Sequence, residues 1–445
     1  MDLKPVFAAA LIAWLPARGV AQQPTVAVDT ASDTATLGPR LSLETVVART
    51  LAHSPGVAGA QGAVRDAAAL RRVTTGAYLP SVTFNSSAGW TDQSLATAGV
   101  ASSLAQRSTL NAHGAGLAAA VDVFTGGRRG AQRSQAEAIS QAADAGLVQQ
   151  HYATILLARQ GYFEVWRAHE LVRVALESVA ETELGLGYAR DREQAGTATR
   201  ADVLLAQLAA STARRQWLAA RDTLGMTTAA LGRLVGADGP VDADALAALE
   251  PVPIALSDSG VLAFAPTAAP LVVNAQALAN AGAAAVRASE TQYLPTISLG
   301  AGYNWSNDGR VSGALPSGWV VAVSTSFPLF NGFVREASVT QAKVAADVAT
   351  VTSADTKRFV RAEAQRLLGS LGVAEQDIAL SREAIRLATE ELRVIRARYR
   401  AGIATILDVL TAQAALVQAE LDLVSAHFNY QLTRASLEAL LGRDL

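Results

Sequence analysis

The chain has 445 residues, half of them hydrophobic but only 5% aromatic, and its recurrent alanine-rich stretches favour long helices in close contact over an aromatic-centred globule. A formal charge of -2 gives no clustered basic face, so nucleic acid is not expected as a partner. With no cysteine in the chain, disulfides, thiolate metal sites and a cysteine nucleophile are all excluded.

The N-terminus has the order of a secretory signal peptide. Lys4 precedes an apolar run from Val6 to Leu15, and Gly19-Val20-Ala21 offers a small-residue cleavage site, so residues 1–21 are assigned to the signal. The competing reading is a membrane anchor, but Pro5 and Pro16 hold the run well short of the ~20 residues a spanning helix needs. No cysteine follows the cleavage site to carry a thioether lipid. Further on, charge interrupts the long apolar stretches, so no transmembrane helix is expected. A chain of this kind that spans a membrane does so with strands. Residues 22–40 form a polar leader.

From residue 41 the chain reads as two copies of one unit, residues 41–236 and 261–445, each a helix, two strands and a long helical hairpin. Gly196 and Gly402 stand 206 positions apart, and Phe124 with Phe330, Asp202 with Asp408 and Gly236 with Gly442 share that offset. Upstream, Tyr78-Leu79-Pro80 answers Tyr293-Leu294-Pro295 at an offset of 215. The nine-residue difference places a surface loop between the Tyr-Leu-Pro and Phe-x-Gly motifs. Residues 237–260, with Pro240, Pro251 and Pro253, read as a linker.

Strands are expected at about 81–92 and 113–124 in the first copy, and at about 296–306 and 318–330 in the second. Val82, Phe84, Ala88 and Trp90 alternate with Thr83, Asn85, Ser87 and Gly89. Ile297, Leu299, Ala301, Tyr303 and Trp305 do the same against small or polar neighbours, as do Leu117, Ala119, Val121 and Val123, and Trp319, Val321, Val323, Thr325 and Phe327. This pattern fits a membrane β-barrel strand, and it equally fits a half-buried strand of a soluble sandwich. Two features favour the membrane. Trp90, Trp305 and Trp319 lie toward the loop ends, where an interfacial girdle sits. The strands also come as two hairpins in an otherwise helical chain. Four strands close no barrel, so strands in lipid require several copies, and three copies supply twelve.

From Gly127 to Ala195, and again from Val334 to Ala401, there is no proline and no turn cluster, which predicts helices of ~100 Å. Their regular charges keep them out of the bilayer. The returning helices carry heptads: Val203, Ala210, Trp217, Leu224 and Leu231 in one copy, Val409, Leu416, Leu423, Tyr430 and Leu437 in the other. Small residues three positions on (Ala206, Ala213, Ala220; Ala412, Ala419, Ala426) let helix backbones approach closely, and the seven-residue period implies a left-handed supercoil. The fold expected is mainly α, with a small membrane β-barrel contribution from each copy.

The duplicated Tyr-Leu-Pro starts, the Phe-x-Gly strand ends at Phe124 and Phe330, and the paired Gly-x5-Asp-Val motifs at Gly196–Val203 and Gly402–Val409 resemble the outer membrane factor (TolC-like outer membrane efflux protein) family over essentially the whole mature chain. The resemblance implies a homotrimer with a 12-stranded barrel in outer-membrane lipid of a Gram-negative-type bacterium and an α-helical tunnel reaching through the periplasm. It implies an exit duct for a tripartite efflux pump or type I secretion system, meeting a periplasmic adaptor and inner-membrane pump, with no cofactor. It makes the turns at Ala195, Gly196 and Thr197 and at Ala401, Gly402 and Ile403 the adaptor-contact tips. Asp408 takes the place of a pore-facing aspartate, and Tyr399 with Asp202 that of a link between coils. Thr411 stands where the family has a second pore aspartate and Ala404 where it has a linking arginine; Arg200 and Arg400 are the neighbouring basic residues. Read from the residues alone, Asp202 and Asp408 are equally well explained as first-turn capping groups.

No catalytic constellation appears, so no enzyme is expected. The five histidines show no metal-ligand spacing, and Gly114-Ala115-Gly116 lies within a strand, not at the strand-to-helix turn a dinucleotide site needs. The rival reading is a soluble periplasmic coiled-coil adaptor or scaffold, which would share the signal and the hairpins but has no need of alternating strands with aromatic ends.

Overall fold

The computed structural model describes residues 38–94, 107–244, 256–307 and 317–445, with Glu250, Pro251 and Ile254. The signal peptide, the leader to residue 37 and both strand-to-strand loops lie outside the described residues.

The chain opens with β1 (Arg40–Leu41), α1 (Leu43–His53) and α2 (Pro55–Gly76). The single helix expected before the strands is therefore two, because Pro55 cannot continue α1 and instead starts α2 behind a Ser54 cap that accepts the Val57 N–H at 3.3 Å. Then come β2 (Ser81–Ser94), β3 (Arg107–Phe124), α3 (Arg128–Gln194), α4 (Arg200–Leu234) and β4 (Asp242–Ala243). The second copy repeats the order in α5 (Asp258–Ala268), α6 (Pro270–Glu290), β5 (Thr296–Asn307), β6 (Ser317–Ser326), α7 (Val334–Arg400) and α8 (Ile406–Leu441). Helix thus begins inside the expected 237–260 linker, at Asp258 behind a Ser257 cap. β3 starts six residues earlier than expected. β6 stops at Ser326 and not at 330, ahead of Pro328, whose missing N–H cannot serve a ladder.

The two 67-residue helices, α3 and α7, are the long members of the fold. Only their tip-proximal halves pair with a returning helix, α4 of 35 residues or α8 of 36. Along the other half, α2 with α1 takes the partner position on α3, and α6 with α5 takes it on α7. Each long helix is therefore one continuous strut against which two shorter pieces stack. Across the copies, α3 packs on both α6 and α8. The heptad residues sit in these seams: Val203, Ala206, Ala210, Ala213, Leu224 and Leu231 are buried on α4, and Val409, Ala412, Ala419, Ala426, Tyr430 and Leu437 on α8.

One stretch corrects the expectation that charge interrupts every long apolar segment. Asp258–Tyr293 is apolar and long enough, by composition, to cross a membrane. It is broken at Pro270, and α5 and α6 lie against α7 and α3. Val261, Ala265, Ala269 and Val272 join Val360, Ala364, Leu437 and Leu441 in one core. Its buried residues pack between helices, while Val273 and Leu278 stay exposed.

The two hairpins form one antiparallel sheet in the order β2-β3-β5-β6, joined across the copies by β3 and β5. The register aligns the apolar set into rows: Phe84, Leu117, Tyr303 and Trp319 in one, and Val82, Ala119, Ala301 and Val321 in the next. The other face is small or polar apart from Val320, as in the rows Thr83, Ala118, Gly302, Val320 and Asn85, Gly116, Asn304, Gly318. A β-bulge between Asp122 and Phe124 makes Val123 the extra residue and sets Phe124 opposite Ile297, where simple alternation had placed Val123.

Midway along α3, the start and the linker of the chain are tied together. β1 and β4 pair in parallel, with Arg40 beside Asp242. Asp242, only 1% exposed, accepts from Arg40 Nε at 3.2 Å and from the Ala243 N–H at 2.9 Å, and lies 2.6 Å from His169 Nε2 on α3. Beside it the fully buried Tyr162 donates to the Asp244 carbonyl at 3.0 Å, and burial pushes its phenol up to about 12. Burial alone would raise the Asp242 carboxyl, but the hydrogen bonds from His169, Arg40 and the Ala243 N–H outweigh it and hold the group below its ordinary value. A depressed folded pKa means that Asp242 stabilises the fold above its unfolded value of about 4 and loses that contribution as pH falls through the folded value. Asp242→Asn is expected to cost about 1–3 kcal/mol at neutral pH. In melting curves of the detergent-extracted protein, the gap between the two forms should close below about pH 4; a gap that persists into strong acid would show that the carboxylate's charge is not what holds the latch.

Candidate functional site

The two interhelical turns are built alike from two local devices. After α3, Gly196 takes φ +72°, its N–H bonds the Glu193 carbonyl at 2.9 Å, and the Thr197 N–H reaches back to the Arg192 carbonyl at 2.9 Å. After α7, Gly402 takes φ +79°, with the Gly402 and Ile403 N–H groups on the Tyr399 and Arg398 carbonyls at 3.1 and 3.0 Å. This is the Schellman ending, which needs a left-handed residue and so selects glycine. Ala195, Thr197, Ala401 and Ile403 complete these exposed turns.

The next helix starts on a capping box in each copy. Thr199 N–H and Oγ1–H donate to Asp202 Oδ2 at 2.8 and 2.9 Å, while the Asp202 N–H returns to Thr199 Oγ1 at 3.3 Å. Thr405 and Asp408 repeat this at 2.8, 2.8 and 3.3 Å. The bonds from the Thr405 backbone and hydroxyl hold the exposed Asp408 carboxyl below its ordinary value. Both aspartates therefore cap helices; Thr411, one turn beyond Asp408, is exposed and donates to the Leu407 carbonyl at 2.9 Å.

Tyr399 is buried in the tip core with Val203, Ala206, Ile406 and Val409. No hydrogen bond joins it to Asp202; among the described residues its hydroxyl has no partner. Asp202 instead holds the Thr199 N–H and hydroxyl through Oδ2. The contact that crosses between the coils is made by Arg192. Its guanidinium lies 4.5 Å from the centre of the Tyr399 ring, donates to the Tyr399 carbonyl at 2.7 Å, and braces the turn through the Thr197 carbonyl at 3.0 Å. Burial raises the Tyr399 phenol, with the Arg192 charge opposing and the Asp202 charge adding to it.

Higher up, Arg400 donates to the Tyr188 hydroxyl at 2.9 Å and Arg396 pairs with Glu181, so α3 and α7 are cross-linked at three successive levels. Arg200 pairs with Glu193, at 3.6 Å, within its own copy. Arg192, Glu181, Tyr188 and Arg396 were missed in the sequence, where they look like ordinary charges and rings on a solvated helix. The available signal was that Arg192 and Arg398 share the 206 offset, both at the carbonyl that closes the turn.

A longer feature runs upward from Asp408. α8 is flanked by α7 and α3, and its exposed positions form one stripe through Asp408, Thr411, Ala415, Gln418, Asp422, Ser425 and Asn429. The steps of three and four residues put all of them on one face. At the other end of the molecule, Trp90 is 81% and Trp319 77% exposed on the apolar face of the sheet, while Trp305 is half-buried against Tyr303, ring centres 4.6 Å apart. Where the strands meet the helices, Leu329, Phe330, Phe333 and Val334 are exposed together. Phe333 has φ +65°, at the position where the first copy has Gly127 at +88°. Among the described residues no group of histidines and carboxylates could hold a metal ion.

A model of the outer membrane efflux protein family matches residues 46–237 and 265–443. The outer membrane efflux protein BepC of Brucella suis is 26% identical over 298 residues, covering 65% of this chain and 63% of that one. The toluene efflux pump outer membrane protein TtgC of Pseudomonas putida is 23% identical over 283 residues, covering 63% and 58%. The aligned chain thus spans less than two thirds of the length of these relatives. The crystal structure of the outer membrane protein VceC of Vibrio cholerae is 20% identical and covers 90% of this chain and 96% of that one, with a TM-score of 0.77, which marks a shared fold. With the family model matching both copies across strands, coils and tips, this chain belongs to the outer membrane efflux protein family.

Proposed function

We propose that the chain is one protomer of a trimeric outer-membrane channel, the exit duct of a tripartite efflux pump or type I secretion system. The observation that carries this reading is a four-stranded sheet with one continuous apolar face and two unpaired edges, β2 and β6, set on helices too long and too charged for a bilayer. An apolar exposed face suits lipid, the small and polar opposite face leaves a lumen clear, and each open edge needs a partner strand. A soluble coiled-coil adaptor has no use for such a face.

The helical part offers the matching seam. From edge to edge the tip-proximal helices run α4, α3, α8, α7. On the α7 edge, Val373, Leu380, Leu387 and Val394 are exposed at intervals of seven, and on the α4 edge Leu204, Leu208 and Leu218 are exposed. Residues 373–380 lie about as far from their turn as Leu218 and Met226 lie from theirs. There a cavity of about 830 Å³ is lined by Trp217, Leu218 and Met226, a seat for the α7 stripe of the next copy. The threefold ring brings three α8 stripes to the lumen, with Asp408 and Thr411 at its narrow end, and presents the turns at Gly196 and Gly402 to a periplasmic adaptor coupled to an inner-membrane pump. Trp90, Trp305 and Trp319 mark the outer membrane interface, and the Phe330–Phe333 cluster the inner one. In this reading Arg192, more than the Tyr399 phenol, holds the tip closed.

Leu380→Asp with Leu387→Asp should weaken trimer association at least tenfold, since burying an uncompensated carboxylate in the seam costs well over the ~1.4 kcal/mol that a factor of ten requires. Native mass spectrometry of the detergent-extracted protein reads this directly, and an undiminished trimer would place the seam elsewhere. At the tip, Arg192→Ala removes a charged hydrogen bond between coils worth about 1.5–3 kcal/mol, so open probability in planar bilayers should rise by roughly tenfold or more. Tyr399→Phe, which removes only an unpartnered hydroxyl, should leave it unchanged. Equal opening in both variants would return the lock to the phenol.

A further inference from the structure

We propose that Asp422 is a second charge-selecting carboxylate of the duct, two heptads above Asp408, and that it favours cations over anions along the lumen. This rests on the channel reading given above. Fourteen residues of helix separate the two aspartates, or about 21 Å. They are the only charges on the exposed stripe of α8; Thr411, Gln418, Ser425 and Asn429 are neutral and Ala415 is small. No Lys or Arg among the described residues pairs with Asp422, in contrast to most acids on α3 and α7, which carry an arginine partner. Gln418 Nε2 donates to Asp422 Oδ1 at 2.8 Å, which holds the carboxylate on the stripe without neutralising it.

Asp422 is also the less committed of the two charges. Asp408 spends Oδ2 on the Thr405 N–H and hydroxyl, whereas Asp422 is tied by a single amide. The duplication supplies an internal contrast. The equivalent of Asp408 in the first copy is an aspartate, Asp202, but the equivalent of Asp422 is Gln216. A threefold assembly therefore carries three carboxylates at the 422 level, placed by α8 alone. Three unit charges about a Debye length from the axis enrich a monovalent cation there by about twofold at 0.1 M salt.

Reversal potentials of the purified full-length protein in a potassium chloride gradient test this with Asp422→Asn and Asp408→Asn beside the native chain. The cation-to-anion permeability ratio should fall by about twofold or more in Asp422→Asn. Because the chain has no cysteine, Asp422→Cys creates a unique thiol. Its modification by a cationic methanethiosulfonate should lower the ratio further, and an anionic one should restore it. A native ratio in Asp422→Asn, with Asp422→Cys indifferent to both reagents while Asp408→Asn shifts the ratio, would overturn this proposal and leave the channel standing. No current from the folded native protein would overturn both.

Discussion

An open sheet edge cannot sit in hydrocarbon, because each unpaired backbone N–H or C=O costs several kcal/mol there. The four-stranded sheet presents two such edges beside an apolar face, so on the proposed reading further copies must close it. The constraint propagates downward. A copy that closes a barrel through β6 and β2 must also bring its α7 edge to the neighbour's α4 edge. Those are the helices that still expose apolar residues there, α7 at heptad spacing (Val373, Leu380, Leu387, Val394) and α4 at Leu204, Leu208 and Leu218. The sheet and the coils thus ask for the same neighbour.

The duplication explains how one chain makes both halves of a repeating wall, and its departures show where the copies were free to differ. Where the backbone dictates the residue, the copies agree: Gly196 and Gly402 share the left-handed turn, and Asp202 and Asp408 share the capping box. Where it does not, they diverge. Phe333 holds a left-handed conformation that Gly127 adopts without strain, at a cost of roughly 1–2 kcal/mol. Its ring meets that of Phe330 edge to face, centres 5.5 Å apart, at the level where strands give way to helix. Gln216 and Asp422 differ in charge on equivalent faces of α4 and α8. Across the copies, Arg192 of α3 clamps Tyr399 of α7.

Much of the architecture was legible in the sequence because it rests on periodicity. Period two placed the strands and their apolar face, period seven placed the buried seams, and the 206 offset gave the duplication. What stayed hidden depends on contacts between distant segments. The halves of α3 and α7 have different partners, and only the stacking of α1–α2 and α5–α6 shows it. The bulge at Val123 shifts the register within an unbroken alternation. The apolar run through Pro270 looks like a membrane span in composition, yet Val261, Ala265, Ala269 and Val272 within it form part of a helix–helix core. The site was less legible than the fold. The motifs singled out Asp202, Asp408 and Tyr399; the local chemistry of the first two is capping, and the contact on Tyr399 comes from Arg192, 207 residues away.

The central claim is that the open edges and the α7 seam are closed by further copies of this chain around a lumen lined by α8. Electron cryomicroscopy of the detergent-extracted full chain tests it most directly. The account predicts a particle of threefold symmetry with one closed barrel of twelve strands, β6 of each copy bonded to β2 of the next, and the face from Asp408 to Asn429 turned inward. A monomer with free sheet edges, or a ring that carries that face on its outside, would contradict it.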